Sequence, residues 1–167
     1  MMRAAAAIGL VAGFGVLLQT TLIHALPARF QIAPDILLAI CVFLGLHRHT
    51  VGGVVGAFLL GYVQDAVGGG AVGLNAFGMV VVYLLVYLTC RRLWVDNVLS
   101  KVVLVFLASW VKTVAVLVVS AIFGTVEGSW GPVLGEALVG AVLTAAVAPP
   151  VFALLAGARL PDEREAA

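Results

Sequence analysis

Residues 34–75 read PDILLAICVFLGLHRHTVGGVVGAFLLGYVQDAVGGGAVGLN, and this stretch decides the fold. Two apolar segments are joined by a short basic turn, with Asp35 at the start of the first and Asp65 at the end of the second. A carboxylate inside a lipid bilayer is tolerated where another group pairs with it or positions it. The pattern therefore predicts a helical membrane hairpin whose two acids belong to a site or an interface.

The composition of the whole chain places this hairpin in an integral membrane protein. Of its 167 residues, 63% are hydrophobic and 10% are charged, against roughly 25% charged in soluble domains. Apolar runs that approach the roughly 20 residues of a membrane-crossing helix lie at 4–26, 33–46, 51–67, 71–90, 100–124 and 133–156. They lack the alternation of outer-membrane barrel strands. We predict one all-α transmembrane domain over residues 1–167 with six spans, ending in a short polar cytoplasmic tail at 157–167.

The basic residues predict how these spans are oriented. The side that holds the termini and the even-numbered loops carries Arg3, Arg48, Arg91, Arg92, Lys101, Arg159 and Arg164. The opposite side carries Arg29, and Lys112 falls inside a span. Because basic residues collect on the cytoplasmic side of a membrane, both termini are expected in the cytoplasm of a multi-pass protein. A cleaved signal peptide is the alternative interpretation of the first segment.

The chain lacks the patterns of an enzyme or of a nucleic-acid-binding protein. It contains no Walker motif, zinc-ligand spacing or GxSxG elbow. Its net charge of +1 does not predict a nucleic-acid surface. Cys41 and Cys90 have no metal-binding or redox spacing and are expected to be small packed hydrophobes. We therefore expect no catalysis, no cofactor and no metal.

Asp35 and Asp65 differ in their relation to helix ends. Asp35 follows Pro34, a residue that suits the first helical position, and an acid in the first turn meets the positive end of the helix dipole. Asp65 lies at the C-terminal end of its span, where the dipole opposes a negative charge. Either water at the outer interface or a donor from another helix must therefore satisfy Asp65, and both interpretations remain open.

Lys112 is the candidate donor. It lies near the middle of the fifth span, where a lysine costs at least about 2.5–3.5 kcal/mol unless it is paired or snorkels to the interface. The third and fifth spans run in the same direction, so that Asp65 and Lys112 are expected at similar depth. We expect Lys112 to face the bundle interior and to pair with Asp65 or Asp35. Asp65 is the more informative of the two acids, because its own helix does not stabilise its charge. Snorkelling is the alternative.

Glycines recur in the third span at Gly52, Gly56 and Gly61. Small residues at a spacing of four allow the backbones of neighbouring membrane helices to approach closely. We expect this glycine face to pack against another helix of the same chain, and a dedicated oligomer face is the alternative.

Three segments together resemble the MreD family, the rod-shape-determining membrane proteins of bacterial cell-wall elongation. They are LQTTLI at 18–23, PDILLAICVFLGL at 34–46 and GGVVGAFLLGYVQDAVGGGAVGLNAF at 52–77. In this family a Pro-Asp pair opens the second span, and a glycine-rich third span ends at an aspartate followed by a glycine turn and a Gly-Leu-Asn-like motif. The matching positions here are Pro34, Asp35, Gly56, Gly61, Asp65, Gly73, Leu74 and Asn75. Gln64 departs from the pattern, and the resemblance covers the chain to about residue 90.

The resemblance implies a non-enzymatic scaffold in the bacterial inner membrane. Such a scaffold binds an MreC-like bitopic protein and links MreB filaments to RodA and its penicillin-binding synthase partner. The resemblance also implies a fold similar to the S-component of energy-coupling-factor transporters. Because fold alone does not determine function, a small-solute capture subunit is the alternative, with a lipid flippase as a third class. The short outer loops contain few hydrogen-bonding residues to line an enclosed ligand pocket, which favours the scaffold.

Overall fold

The computed structural model of the protein describes residues 13, 15, 34–47, 51–68, 72–92, 97–123 and 130–157, and every regular element among them is an α-helix. These helices are α1 (Ile36–His47), α2 (Val51–Gly68), α3 (Leu74–Arg92), α4 (Val98–Ile122) and α5 (Trp130–Gly157). The all-helical prediction is thereby confirmed for this part of the chain. Of the predicted first span at 4–26, only Gly13 and Gly15 belong to the described residues.

Helix α1 lies at the centre of the described bundle. Every residue in it from Ile36 to Leu46 is buried, and the helix contacts each of the other four. A helix that is hydrophobic on all sides is stable where other helices enclose it. At 1.5 Å per residue, its 12 residues extend about 18 Å, against a hydrocarbon layer of about 30 Å. Its polar ends therefore need partners within the protein.

The surrounding helices expose large apolar side chains on their outer faces. Phe58 and Leu59 on α2, and Val103 and Leu107 on α4, are examples. Three helical segments are long and apolar enough to cross a membrane, namely Val51–Gly68, Val98–Ile122 and Leu134–Gly157, whereas α1 and the apolar part of α3 are shorter. The protein is therefore a membrane protein. By length and composition, the described residues support three of the six predicted spans.

The close approach between α2 and α3 depends on Gly53 and Gly61. A Cβ atom at Gly61 would lie 2.6 Å from the carbonyl oxygen of Asn75 and 2.7 Å from the backbone nitrogen of Ala76. A Cβ atom at Gly53 would lie 2.7 Å from Cζ of Tyr83. At these two positions, α3 therefore occupies the space that a side chain on α2 would need.

The glycine prediction needs a correction at Gly52 and Gly56. Gly52 is exposed, and a Cβ atom at Gly56 would make an ordinary contact of 3.6 Å with Leu44. The four-residue spacing identified the right helix, but α3 packs on the face that carries Gly53 and Gly61.

We predict that Gly61→Ala destabilises the protein. The new methyl group meets the backbone of α3, which cannot rotate away as a side chain could, so a cost of about 1–3 kcal/mol is expected. The measurement is the midpoint of thermal unfolding in mild detergent, followed by size-exclusion chromatography. Gly135→Ala is the matched control, because a Cβ atom there has nothing within 4 Å. An equal midpoint for both variants would contradict the close approach.

Candidate functional site

Asp35 caps the N-terminus of α1. Its Oδ1 accepts a hydrogen bond of 3.0 Å from the backbone N–H of Leu38, the third residue of the helix, as is typical of an aspartate at the N-cap position. The helix begins at Ile36, so Pro34 precedes the cap. The Pro-Asp pair therefore lies at the start of α1 as expected, but Asp35 is the N-cap just outside the helix and Pro34 precedes it, so the proline does not occupy the first helical position.

Lys112 of α4 and Gln64 of α2 complete a closed set of polar contacts around Asp35. The Lys112 Nζ atom lies 2.5 Å from Asp35 Oδ2 and donates a 2.7 Å hydrogen bond to Gln64 Oε1. Gln64 Nε2 in turn donates to Asp35 Oδ2 at 3.2 Å. Lys112 is only 8% exposed. It therefore faces the interior and pairs with Asp35, and neither the pairing with Asp65 nor snorkelling occurs.

Thr144 and Gly78 bring the remaining two helices to this cluster. Thr144 Oγ1 on α5 accepts a 2.9 Å hydrogen bond from the backbone N–H of Asp35 and donates to the Gly140 carbonyl at 2.8 Å. On α3, a Cβ atom at Gly78 would lie 3.3 Å from Cγ of Lys112, so the lysine stem passes directly over the helix backbone. All five described helices therefore meet here. We call Asp35, Gln64, Lys112 and Thr144 the Lys112 network.

Asp65 belongs to a separate cluster, in which the beginning of α3 supplies the donors. Asp65 Oδ2 accepts hydrogen bonds from the backbone N–H groups of Gly73 at 2.8 Å and Ala76 at 3.2 Å. Its Oδ1 accepts from the backbone N–H of Asn75 at 3.0 Å and from the Asn75 side-chain amide at 2.9 Å. The carboxylate is thus fully engaged, and Asp65 is only 2% exposed.

This arrangement explains why α2 tolerates an acid at its C-terminal end. Helix α3 begins at Leu74, and Gly73 before it has no side chain with which to cap the helix and adopts a φ of +98° that favours glycine. Asp65 caps α3 in its place. The positive end of α3 offsets the unfavourable dipole of α2. Of the two predicted partners, another helix rather than interface water satisfies Asp65, but Lys112 is not the donor.

Two residues of the Lys112 network were not predicted as site residues. Gln64 precedes Asp65 and therefore points about 100° away from it around α2, toward Lys112. A polar residue within an apolar span indicates interhelical hydrogen bonding. Gln64 is such a residue, but in the sequence it stood out only as a departure from the family pattern. Thr144 carries the one hydroxyl group in the sequence of α5.

The remaining polar candidates have structural contacts. Cys41 and Cys90 are both buried, and Cys41 Sγ donates to the carbonyl of Met79 at 3.4 Å. The His47 ring stacks on Phe43 with a centroid distance of 4.1 Å. Within the described ranges, no group of three or more His, Cys, Asp or Glu residues could hold a metal ion.

A comparison with protein families identifies the chain. The model of the family described as rod shape-determining protein MreD matches residues 3–157. The protein belongs to the MreD family. The match extends beyond residue 90, the approximate limit of the resemblance seen in the sequence, and includes Lys112 and Thr144. Membership in the MreD family implies a role in rod shape determination. Searches of curated proteins and of solved structures find no match, so the expected likeness to transporter S-components gains no support.

We predict strong coupling between Asp35 and Lys112 in this MreD-family protein. Lys112→Met and Asp35→Asn each leave one buried charge without its partner, at a cost of about 3–5 kcal/mol each. The double variant removes both charges, and asparagine retains the capping function. The double variant should therefore lose less stability than the two single variants lose together. Thermal midpoints of the four proteins in detergent measure this coupling. Additive losses would show that the pair is not energetically linked.

We also predict that Asp65→Asn destabilises the turn between α2 and α3. The amide group replaces one carboxylate oxygen and strands the two N–H groups bound to it, and each stranded donor costs about 1–3 kcal/mol. The folded fraction recovered from detergent-solubilised membranes measures the effect. Glu136→Gln is the matched acid-to-amide control, because Glu136 is exposed on α5. A variant Asp65→Asn as stable as this control would contradict the capping role.

Proposed function

We propose that this protein is a non-enzymatic scaffold of the cell-wall elongation complex in the bacterial inner membrane. It binds an MreC-like bitopic protein and links MreB filaments to RodA and its penicillin-binding synthase partner. Membership in the MreD family supports a part in the MreB, MreC and MreD shape complex. The exposed apolar faces of the outer helices support direct contact with membrane lipids.

The proposed topology is a single multi-pass domain of six spans with both termini in the cytoplasm. The distribution of basic residues supports this orientation, since most of them lie on one side of the predicted spans. The enclosed position of the short helix α1 supports a bundle in which some segments rely on their neighbours rather than on their own length.

The polar groups of the Lys112 network form hydrogen bonds within the protein, and this observation favours a scaffold over a capture subunit. A capture subunit presents several polar groups to an enclosed ligand. Here Asp35, Gln64 and Lys112 instead bond to one another, and Thr144 bonds to two backbone groups. Polar groups with this bonding hold helices in place.

In the proposed mechanism, the two polar clusters hold the outer ends of the helices in one arrangement. Asp65 ties α2 to α3, and the Lys112 network ties α1 to α2, α4 and α5. The external part of the partner binds the surface that these ends form, and its membrane helix packs on a face of small residues. The inner turns near His47 and Arg91 face anionic lipids or cytoplasmic partners. No chemical step is involved.

The scaffold proposal predicts that loosening the Lys112 network weakens both partner binding and rod shape. Cells carrying an affinity-tagged protein at the native locus are solubilised in mild detergent, and recovery of the MreC-like protein is measured per folded molecule, alongside cell width. Lys112→Met should reduce recovery several-fold and widen the cells. Asp35→Asn with Lys112→Met should restore both in part.

Glu136→Gln, a change on the exposed face of α5, should leave both readouts unchanged. Recovery of transporter ATPase subunits with a bound small solute, in place of the MreC-like protein, would contradict the scaffold proposal and support a capture subunit.

A further inference from the structure

A groove runs between the first turns of α4 and the last turns of α5. It encloses a cavity of about 230 Å³, and the residues along it include Val98, Lys101, Val102, Pro149, Phe152 and Ala153. Its walls are apolar apart from Lys101.

The groove opens to the outside of the bundle. Leu99 beside it on α4 and Leu154 on α5 are 75% and 67% exposed. Side chains of this kind on the outer face of a membrane helix contact lipid hydrocarbon. An occupant therefore enters from the lipid phase.

Lys101 gives the groove a positive charge at one end. It is half-buried in the first turn of α4, and no carboxylate of the described residues forms an ion pair with it. The N-cap residue of α4, Asn97, makes no capping hydrogen bond through its side chain, so the positive end of the helix dipole adds to the charge. The basic-residue distribution predicts that this end of α4 faces the cytoplasmic leaflet, which carries the anionic lipids.

We propose that this groove binds one anionic phospholipid. The Lys101 ammonium group contacts the headgroup phosphate, and one acyl chain lies along the apolar walls toward Phe152. A lysine at the membrane interface extends its charged end to the headgroups while its stem stays among apolar groups. A membrane helix of a partner protein is about 10–12 Å across, which is too wide for a cavity of this volume. The proposal does not depend on the scaffold function.

Native mass spectrometry of the purified protein tests this site. The protein in mild detergent receives equal amounts of phosphatidylglycerol and phosphatidylethanolamine, and the bound fraction of each is measured. Wild type should prefer phosphatidylglycerol. Lys101→Gln should reduce its binding about fivefold, the factor expected from a single lysine near an anionic surface, whereas Lys101→Arg should retain it.

A second pair of variants tests the groove itself. Ala153→Phe fills it and should reduce the binding of both lipids, while Ala146→Phe, on an exposed position of α5 that does not line the groove, should not. Ala153→Leu replaces Ala153→Phe if that variant fails to elute as folded protein. Equal binding of the two lipids, no effect of Lys101→Gln, no effect of filling the groove, or full competition by soluble glycerol phosphate would each overturn the proposal.

Discussion

The ion pair between Lys112 and Asp35 is the contact on which the arrangement of the bundle depends. Lipid tails are as apolar as leucine side chains, so apolar contacts give membrane helices little preference for one another over lipid. A buried charge has a strong preference, because losing its partner costs several kcal/mol. Asp35 also caps α1, and its backbone N–H binds Thr144. The relative positions of α1, α4 and α5 therefore depend on one residue.

Asp65 exerts a second, independent constraint one residue beyond Gln64. It caps α3 from the end of α2, and the nearby Gly61 allows the two helices to approach at the same level. Consecutive residues of α2 thus serve different clusters, because a helix turns about 100° per residue. Together the two clusters tie all five described helices to one another through buried polar contacts.

Helix positions were largely predictable, and contacts between helices were not. Among the five described helices, the largest difference between a predicted and an observed boundary is three residues, as for the segment predicted from residue 33 that begins at Ile36. Apolar run length and the glycine turn mark such boundaries directly. The sequence left Asp65 and Asp35 open as partners of Lys112, with Asp65 as the more informative acid, and it did not place the closest helix contact at Gly53. Both choices depend on the rotation of a helix about its axis. An apolar sequence with no polar face leaves that rotation open.

The sequence by itself determined that this is a helical membrane protein of the MreD family, with buried charges that need partners. Burial in lipid makes that need unavoidable. Only the tertiary structure decided which groups meet. Lys112 binds Asp35 across 77 positions and Thr144 binds it across 109, whereas Asp65 is satisfied by three backbone N–H groups and the Asn75 side chain, all within 11 positions. Such choices follow from which helices are neighbours and which faces they turn to each other, and packing determines both.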